Sequence, residues 1–222
     1  MGEAYSRVFS KHEISYTICK VKKEMIIETR NLIIRSLKPD DGSTFAEMAA
    51  DGSLRDVGFD ADCSDWMGEW IKEAIKLSDA DNPRNEYIAN AVCIKETKEV
   101  IGSVGCSFYY DLDEVGVTYF IGEKYRGNGY ATECVKAYTD YFFEHYKINK
   151  IISTVREANV ASWKTMEKCH YLLVDTRMYK DINDETEQLY RFYEKKKVQN
   201  SDFSKEGILN EDNCSKRKQR RL

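Results

Sequence analysis

The stretch Glu114-Val-Gly-Val-Thr-Tyr-Phe-Ile-Gly-Glu-Lys-Tyr-Arg-Gly-Asn-Gly-Tyr-Ala-Thr-Glu133 constrains the fold more than any other part of the chain. Val115, Val117, Thr118, Tyr119, Phe120 and Ile121 are β-branched or aromatic and suit a strand, which Gly122 ends. Arg126-Gly-Asn-Gly-Tyr-Ala131 then gathers two glycines and an alanine into a turn. Glycine tolerates positive φ and lets a backbone approach a ligand closely. The helix that follows begins with amides that lack intrahelical partners. Together with the helix dipole they form an anion site suited to a phosphate or pyrophosphate.

Around this stretch the pattern alternates between strand and helix. Met25 to Leu37 reads as a first strand, ended by Pro39 and Asp40-Asp-Gly42, and Ser43 to Ala50 as a short helix. Ser64 is the expected N-cap of a helix from Asp65 to Leu77. Trp66, Trp70, Ala74 and Leu77 form its apolar stripe, read as core packing or as the wall of a substrate cleft. Ser78 to Glu86 reads as a loop. Tyr87–Lys95, Val100–Tyr110 and Glu114–Ile121 are strands close enough in sequence to pair as antiparallel hairpins. Ala131, Cys134, Val135, Tyr138 and Phe142 line one face of a helix ending near His145, and Lys150 to Arg156 is the next strand. That unit predicts a right-handed parallel crossover. A short helix over Asn159 to Lys168 and strands over Tyr171–Lys180 and Gln188–Glu194 complete a mixed α/β domain over 25–197.

Residues 1–24 read as an extension in which Ile14-Ser-Tyr-Thr-Ile18 alternates like a strand, and residues 198–222 as a disordered polar tail. The opening Met-Gly-Glu-Ala-Tyr-Ser has the spacing of a myristoylation signal, and Lys216–Arg221 is a basic run read as solvated. The tail holds six basic and four acidic residues, so a net charge of −4 leaves −6 for residues 1–197. Such a domain is no general nucleic-acid binder. The seven cysteines include no Cys-x-x-Cys, so free thiols in a reducing cytoplasm are expected. The three histidines lie far apart and indicate no metal site, and no apolar run reaches the roughly 20 residues of a membrane helix.

The glycine loop has three readings. A P-loop needs Gly-Lys-Ser/Thr, whereas Gly129 is followed by Tyr-Ala-Thr132. A dinucleotide fold starts its parallel sheet at the loop, whereas four strand-like runs precede this one. The third reading is a pyrophosphate held in the middle of a mixed sheet.

Three blocks with their joint spacing bear on that choice: Tyr119 to Glu133, Arg156-Glu-Ala-Asn159-Val-Ala-Ser162-Trp163, and Met166-Glu-Lys-Cys-His-Tyr171. Together with Glu28-Thr-Arg-Asn-Leu-Ile-Ile-Arg35, they resemble the GCN5-related N-acetyltransferase (GNAT) family, in particular its ribosomal-protein N-acetyltransferase-like branch, over roughly residues 28–196. The resemblance implies a central, mostly antiparallel mixed sheet flanked by helices, with a glycine-loop β-α-β crossover. It implies acetyl-CoA as co-substrate, no metal, and an amine acceptor, either a protein N-terminus or a small molecule. By matched position, the amides of Arg126, Gly127, Asn128, Gly129, Tyr130 and Ala131 bind the pyrophosphate, with Thr132 beside them. The backbone of Phe120 and Ile121 pairs with the pantetheine arm, and a strand N–H steadies the thioester oxygen. Asn159 hydrogen-bonds the pantetheine, and Ser162 protonates the leaving thiolate.

Three positions depart from the family pattern. Met166 stands where many members have a tyrosine, which moves the acid role to Ser162; His170 stands where glycine is usual after the helix; Lys124 stands at the loop entry, where glutamine or arginine is frequent. The amine must attack as the free base, so a proton acceptor is needed. Glu114, on the same strand face as Gly116 and Thr118, is the first candidate, with Glu47, Asp65 and Glu69 unranked. The expectation is a cytoplasmic N-acetyltransferase, monomer or homodimer, bound to neither nucleic acid nor membrane. The alternative is a CoA-binding sensor or interaction module without turnover.

Overall fold

The computed structural model describes residues 25–182 and 184–198. The N-terminal strand and myristoylation pattern, the polar tail beyond residue 198, its basic run, and Cys19 and Cys214 lie outside the described residues. In chain order the elements are β1 (Ile26–Glu28), β2 (Leu32–Ser36), α1 (Asp41–Ala49), α2 (Ser64–Ala80), β3 (Tyr87–Ile94), β4 (Val100–Tyr109) and β5 (Glu114–Ile121). Then come α3 (Tyr130–His145), β6 (Lys150–Arg156), α4 (Val160–Lys168), β7 (Leu172–Tyr179) and β8 (Gln188–Lys196), with 3-10 turns at Arg55–Val57 and Glu123–Tyr125.

Two expectations need correction. The single strand over Met25–Leu37 is a hairpin, folded at Thr29-Arg-Asn31, with Ile27 opposite Ile34. The turn is stabilised from outside, because the Glu133 carboxylate accepts hydrogen bonds from Thr29 Oγ1 (2.6 Å), the Asn31 amide (2.7 Å) and Asn31 Nδ2 (2.8 Å). The second correction concerns α2, which starts at Ser64 with Cys63 as its cap residue and runs to Ala80, three residues into the expected loop. Its buried stripe is Met67, Ile71 and Ala74, while Trp66 is 39% exposed and Trp70 half-buried. Core burial falls to the smaller residues and the indoles flank them: Trp70 packs on Phe45, Phe59 and Tyr87.

The eight strands form one sheet in the order β1-β2-β3-β4-β5-β6-β8-β7, antiparallel throughout except between β5 and β6. Alternation along the strands divides the core in two. Val115, Val117 and Ile121 join Cys134, Val135, Tyr138 and Phe142 of α3 and Met166 of α4 on one face. Phe120 joins Phe45, Phe59, Met67 and Ile71 on the other, under α1 and α2. The weakest pairing lies in the middle of the sheet. Among the described residues, β5 and β6 register at one pair, Gly116 with Ile152, and diverge beyond it. β6 pairs along all of Lys150–Arg156 with β8, so the sheet opens into a notch between β5 and β6.

Candidate active site

The notch is closed at its narrow end by an aromatic ring. A Cβ on Gly116 would lie 2.5 Å from Cε2 of Tyr109, so glycine there lets the ring cover the strand. The Tyr109 hydroxyl accepts from Thr154 Oγ1 on β6 (3.2 Å). Burial pushes the Tyr109 phenol up to about 12.

At the wide end the register decides which backbone groups face the opening. The Gly122 amide donates to the Ile101 carbonyl (2.9 Å), while Ile121 stands opposite Gly102. In an antiparallel ladder this makes Gly102–Ile121 a non-hydrogen-bonded pair, and it directs the backbone groups of Phe120 towards Ser103 on β4. A Cβ on Gly102 would sit 2.1 Å from the Phe120 carbonyl oxygen, in keeping with that direction. Phe120 therefore pairs inside the sheet, and Tyr119 and Ile121 are the residues whose backbone groups turn to the notch. The Phe120 ring packs edge-on against Phe45 (5.2 Å) and Phe59 (5.4 Å).

The loop after β5 has the expected conformation. Gly127 and Gly129 have φ of 80° and 82°, and Gly129 precedes α3 without a side-chain cap. The first amides of α3, those of Tyr130, Ala131 and Thr132, thus lack the usual side-chain acceptor. Asn128 Nδ2 donates to the carbonyls of Tyr125 (3.0 Å) and Arg126 (3.3 Å), bracing the turn. Arg126 Nε donates to the Ile121 carbonyl (3.0 Å), and its Nη2 donates to the Ser53 carbonyl (3.0 Å) in the α1–α2 connection. Lys124 is held by Glu99 at 3.2 Å.

Across the notch, Asn159 caps α4: its Oδ1 accepts from the Ser162 amide (3.1 Å). This fixes Ser162 in the first turn of α4, where its Oγ lies 3.0 Å from the Tyr119 hydroxyl. Burial pushes the Tyr119 phenol up to about 12 against the opposing hydrogen bond from Ser162, so it stays protonated at neutral pH. Sequence reasoning read Tyr119 as a strand residue. The signal that could have exposed it is alternation, which puts Tyr119 on the α4 face with Val117 and Ile121.

α4 ends with His170 at φ 62°, the Tyr171 amide donating to the Met166 carbonyl (3.0 Å) and the His170 amide to Glu167 (3.0 Å). This is a Schellman end with histidine in the glycine position.

Glu114 is at the other end of β5, about 16 Å along the strand from Tyr119 at ~3.3 Å per residue. Its carboxylate is ion-paired with Lys150. A second carboxylate group, not anticipated, gathers on the α1–α2 side. Arg156, at the end of β6, pairs with Asp184 and with Asp56 of the α1–α2 connection (2.5 Å to the latter). Asp184 also accepts from the Tyr190 hydroxyl (2.7 Å). Asp181 lies in the same group, with its carboxyl pushed above the ordinary aspartate value by burial and by the nearby charges of Asp184 and Asp111, against the opposing pull of Arg156. Its charge is also felt at Tyr109 and Tyr190.

Among the described residues no group of three His, Cys, Asp or Glu side chains is placed to hold a metal, and no helix is long and apolar enough to cross a membrane. The five described cysteines, Cys63, Cys93, Cys106, Cys134 and Cys169, are buried free thiols.

A glycine loop thus feeds an uncapped helix beside two strands that register at a single pair, in the middle of a mixed sheet. The chain belongs to the GNAT acetyltransferase family, whose domain matches residues 31–171. Acetyl transfer is the chemistry of that family. An uncharacterized N-acetyltransferase of Bacillus subtilis, YnaD, is 22% identical over 144 residues, 65% of this chain and 81% of its own length. A GNAT-family acetyltransferase from Bacillus anthracis shares the fold with TM-score 0.66 and 17% identity over 78% of this chain and 98% of its own. RimL, a ribosomal L7/L12 α-N-protein acetyltransferase solved with coenzyme A, does so with TM-score 0.65 and 12% identity, covering 78% and 98%.

Proposed function

We propose that this protein transfers the acetyl group of acetyl-CoA to a primary amine, on a protein N-terminus or a small cationic molecule, by direct attack with both substrates bound. The observation that carries this reading is the Tyr119–Ser162 hydroxyl pair standing across the notch, beside the uncapped start of α3. In it the amides from Arg126 to Thr132 bind the pyrophosphate, and the notch-facing backbone of Tyr119 and Ile121 receives the pantetheine arm. The N–H of one of them steadies the thioester oxygen as it gains charge. The Asn159 Oδ1 is occupied by the α4 cap, so its Nδ2 is the group available to a pantetheine carbonyl.

The amine nitrogen bonds to the thioester carbon, the carbon–sulfur bond breaks, and the sulfur leaves with the electron pair. Ser162 gives its proton to that sulfur and takes one back from water, while the Tyr119 hydroxyl, kept protonated because burial pushes its phenol up to about 12, steadies the Ser162 oxygen by hydrogen bond. In this reading the proton lost by the amine goes to the carboxylate group gathered around Arg156, where Asp56 and Asp184 are ion-paired and Asp181, raised by burial, is the member able to take it. Glu114, neutralised by Lys150 at the closed end, keeps a structural role in this reading. The N-terminal acceptor is supported by the activity of RimL, which has the same fold.

The test is Ser162→Ala alongside Tyr119→Phe. Ser162→Ala lowers turnover on the order of 100-fold while CoA affinity stays within about threefold. Tyr119→Phe lowers turnover by about tenfold and costs about 1 kcal/mol of stability for one lost buried hydrogen bond. Unchanged turnover in Ser162→Ala removes Ser162 as the acid.

A further inference from the structure

β7 is the open end of the sheet, and its sequence is complementary to itself. It pairs with β8 on one side, and among the described residues no strand lies on the other. Leu172 (69%), Leu173 (48%), Val174 (55%) and Met178 (55%) are exposed along it. A long apolar edge of this kind is a template for another strand where lysine, proline, a bulge or a covering element does not blunt it. β7 carries neither lysine nor proline, and its one irregularity, between Leu173 and Asp175, leaves Asp175–Tyr179 in regular register with β8. Its charges are one of each sign, Asp175 and Arg177, which pair with each other at 2.6 Å in the open. They flank Thr176 on one sheet face, where Arg177 also lies over the Phe192 ring at 3.9 Å.

We propose that β7 pairs with β7 of a second copy of this chain, antiparallel about a two-fold axis through Thr176. That register sets Asp175 against Arg177 of the other copy twice over. Opposite charges directly across an antiparallel pair are favourable, and like charges are not. Neighbouring two-fold registers lose this match. An axis through Asp175 or Arg177 places like charges face to face, and an axis between residues leaves both charges opposite neutral partners. Thr176 is therefore the centre the sequence selects, and the two eight-stranded sheets join into one. The two-fold contact is isologous and closes on itself, so it ends at a dimer. The bulge between Leu173 and Asp175 limits the pairing to the segment around Thr176.

The experiment is sedimentation velocity of the full chain in a dilution series, with Asp175→Arg, Arg177→Asp and the double exchange. Each single reversal puts like charges across the axis twice and weakens the dimer about tenfold or more. The double exchange restores opposite charges and returns the dissociation constant to near the original. Both residues are exposed, so the variants keep the fold, which circular dichroism checks. A chain that stays monomeric at every concentration overturns the proposal, as does a dimer indifferent to both single reversals. So does a double exchange no better than the singles.

Discussion

Replacing Gly129 with alanine separates the backbone role of the loop from any packing role. Gly129 has φ 82°, and a Cβ added there meets nothing within 4 Å. The methyl group therefore creates no clash, and its whole cost is conformational. An L-residue in the left-handed region costs about 1–2 kcal/mol. If the turn keeps its shape, that strain lowers the melting temperature by roughly 2–8 °C in a domain of this size. If the turn relaxes, the amides of Tyr130 and Ala131 rotate away from convergence, and CoA must restore them at the same cost. Affinity then falls about 5–30-fold. Calorimetric titration with CoA and a thermal melt measure the two branches on one sample. Gly105→Ala is the contrast, because its Cβ would lie 1.8 Å from the Ile88 carbonyl oxygen and it disrupts the sheet itself. A Gly129→Ala protein with both melting temperature and CoA affinity unchanged refutes the reasoning that this turn needs its left-handed glycine and presents the helix amides.

Asp181 offers a prediction in pH. Its folded carboxyl is raised above the ordinary value, chiefly by burial, so the charged form is the disfavoured one in the folded state. That penalty is present above the folded value, fades as pH falls, and is gone below the unfolded value near ~3.9. Asp181→Asn therefore raises the melting temperature at neutral pH, leaves it unchanged in acid well below ~3.9, and removes the acidic limb of the pH–rate profile. A melting temperature that falls at neutral pH contradicts the assignment. His170→Gly relieves a residue at φ 62° and stabilises the chain by about 1 kcal/mol, or roughly 2–4 °C, with turnover intact. A large loss of turnover in this variant would instead place His170 in the chemistry.

The elements that bury one clean face were legible in the sequence. Strand β5 over Glu114–Ile121, strand β6 over Lys150–Arg156 and the end of α3 at His145 all follow from periodicity and turn residues. The hairpin at Thr29–Asn31 did not show, because its polar turn is satisfied by Glu133 a hundred residues away. The site was half legible. The loop glycines and Asn159 declare themselves through backbone needs, a positive φ and an N-cap. Tyr119 and Asp181 do not, since their character comes from burial and from partners brought by other elements: Ser162 for the one, Asp184 and Arg156 for the other. Glu114 is the first candidate for the general base from the sequence because it opens the central strand, and its pairing with Lys150 depends on the start of β6. Local pattern carries no information about that neighbour.

The central claim is amine-dependent transfer of an acetyl group from CoA in the β5–β6 notch. Release of the CoA thiol from acetyl-CoA, followed continuously while peptides with free N-termini and small cationic amines are added in turn, tests it most directly. Release is expected to rise and saturate with at least one amine, to yield one acetylated product per thiol, and to drop on the order of 100-fold in Ser162→Ala. Tight CoA binding with thiol release no faster than without any amine, across the whole series, contradicts it.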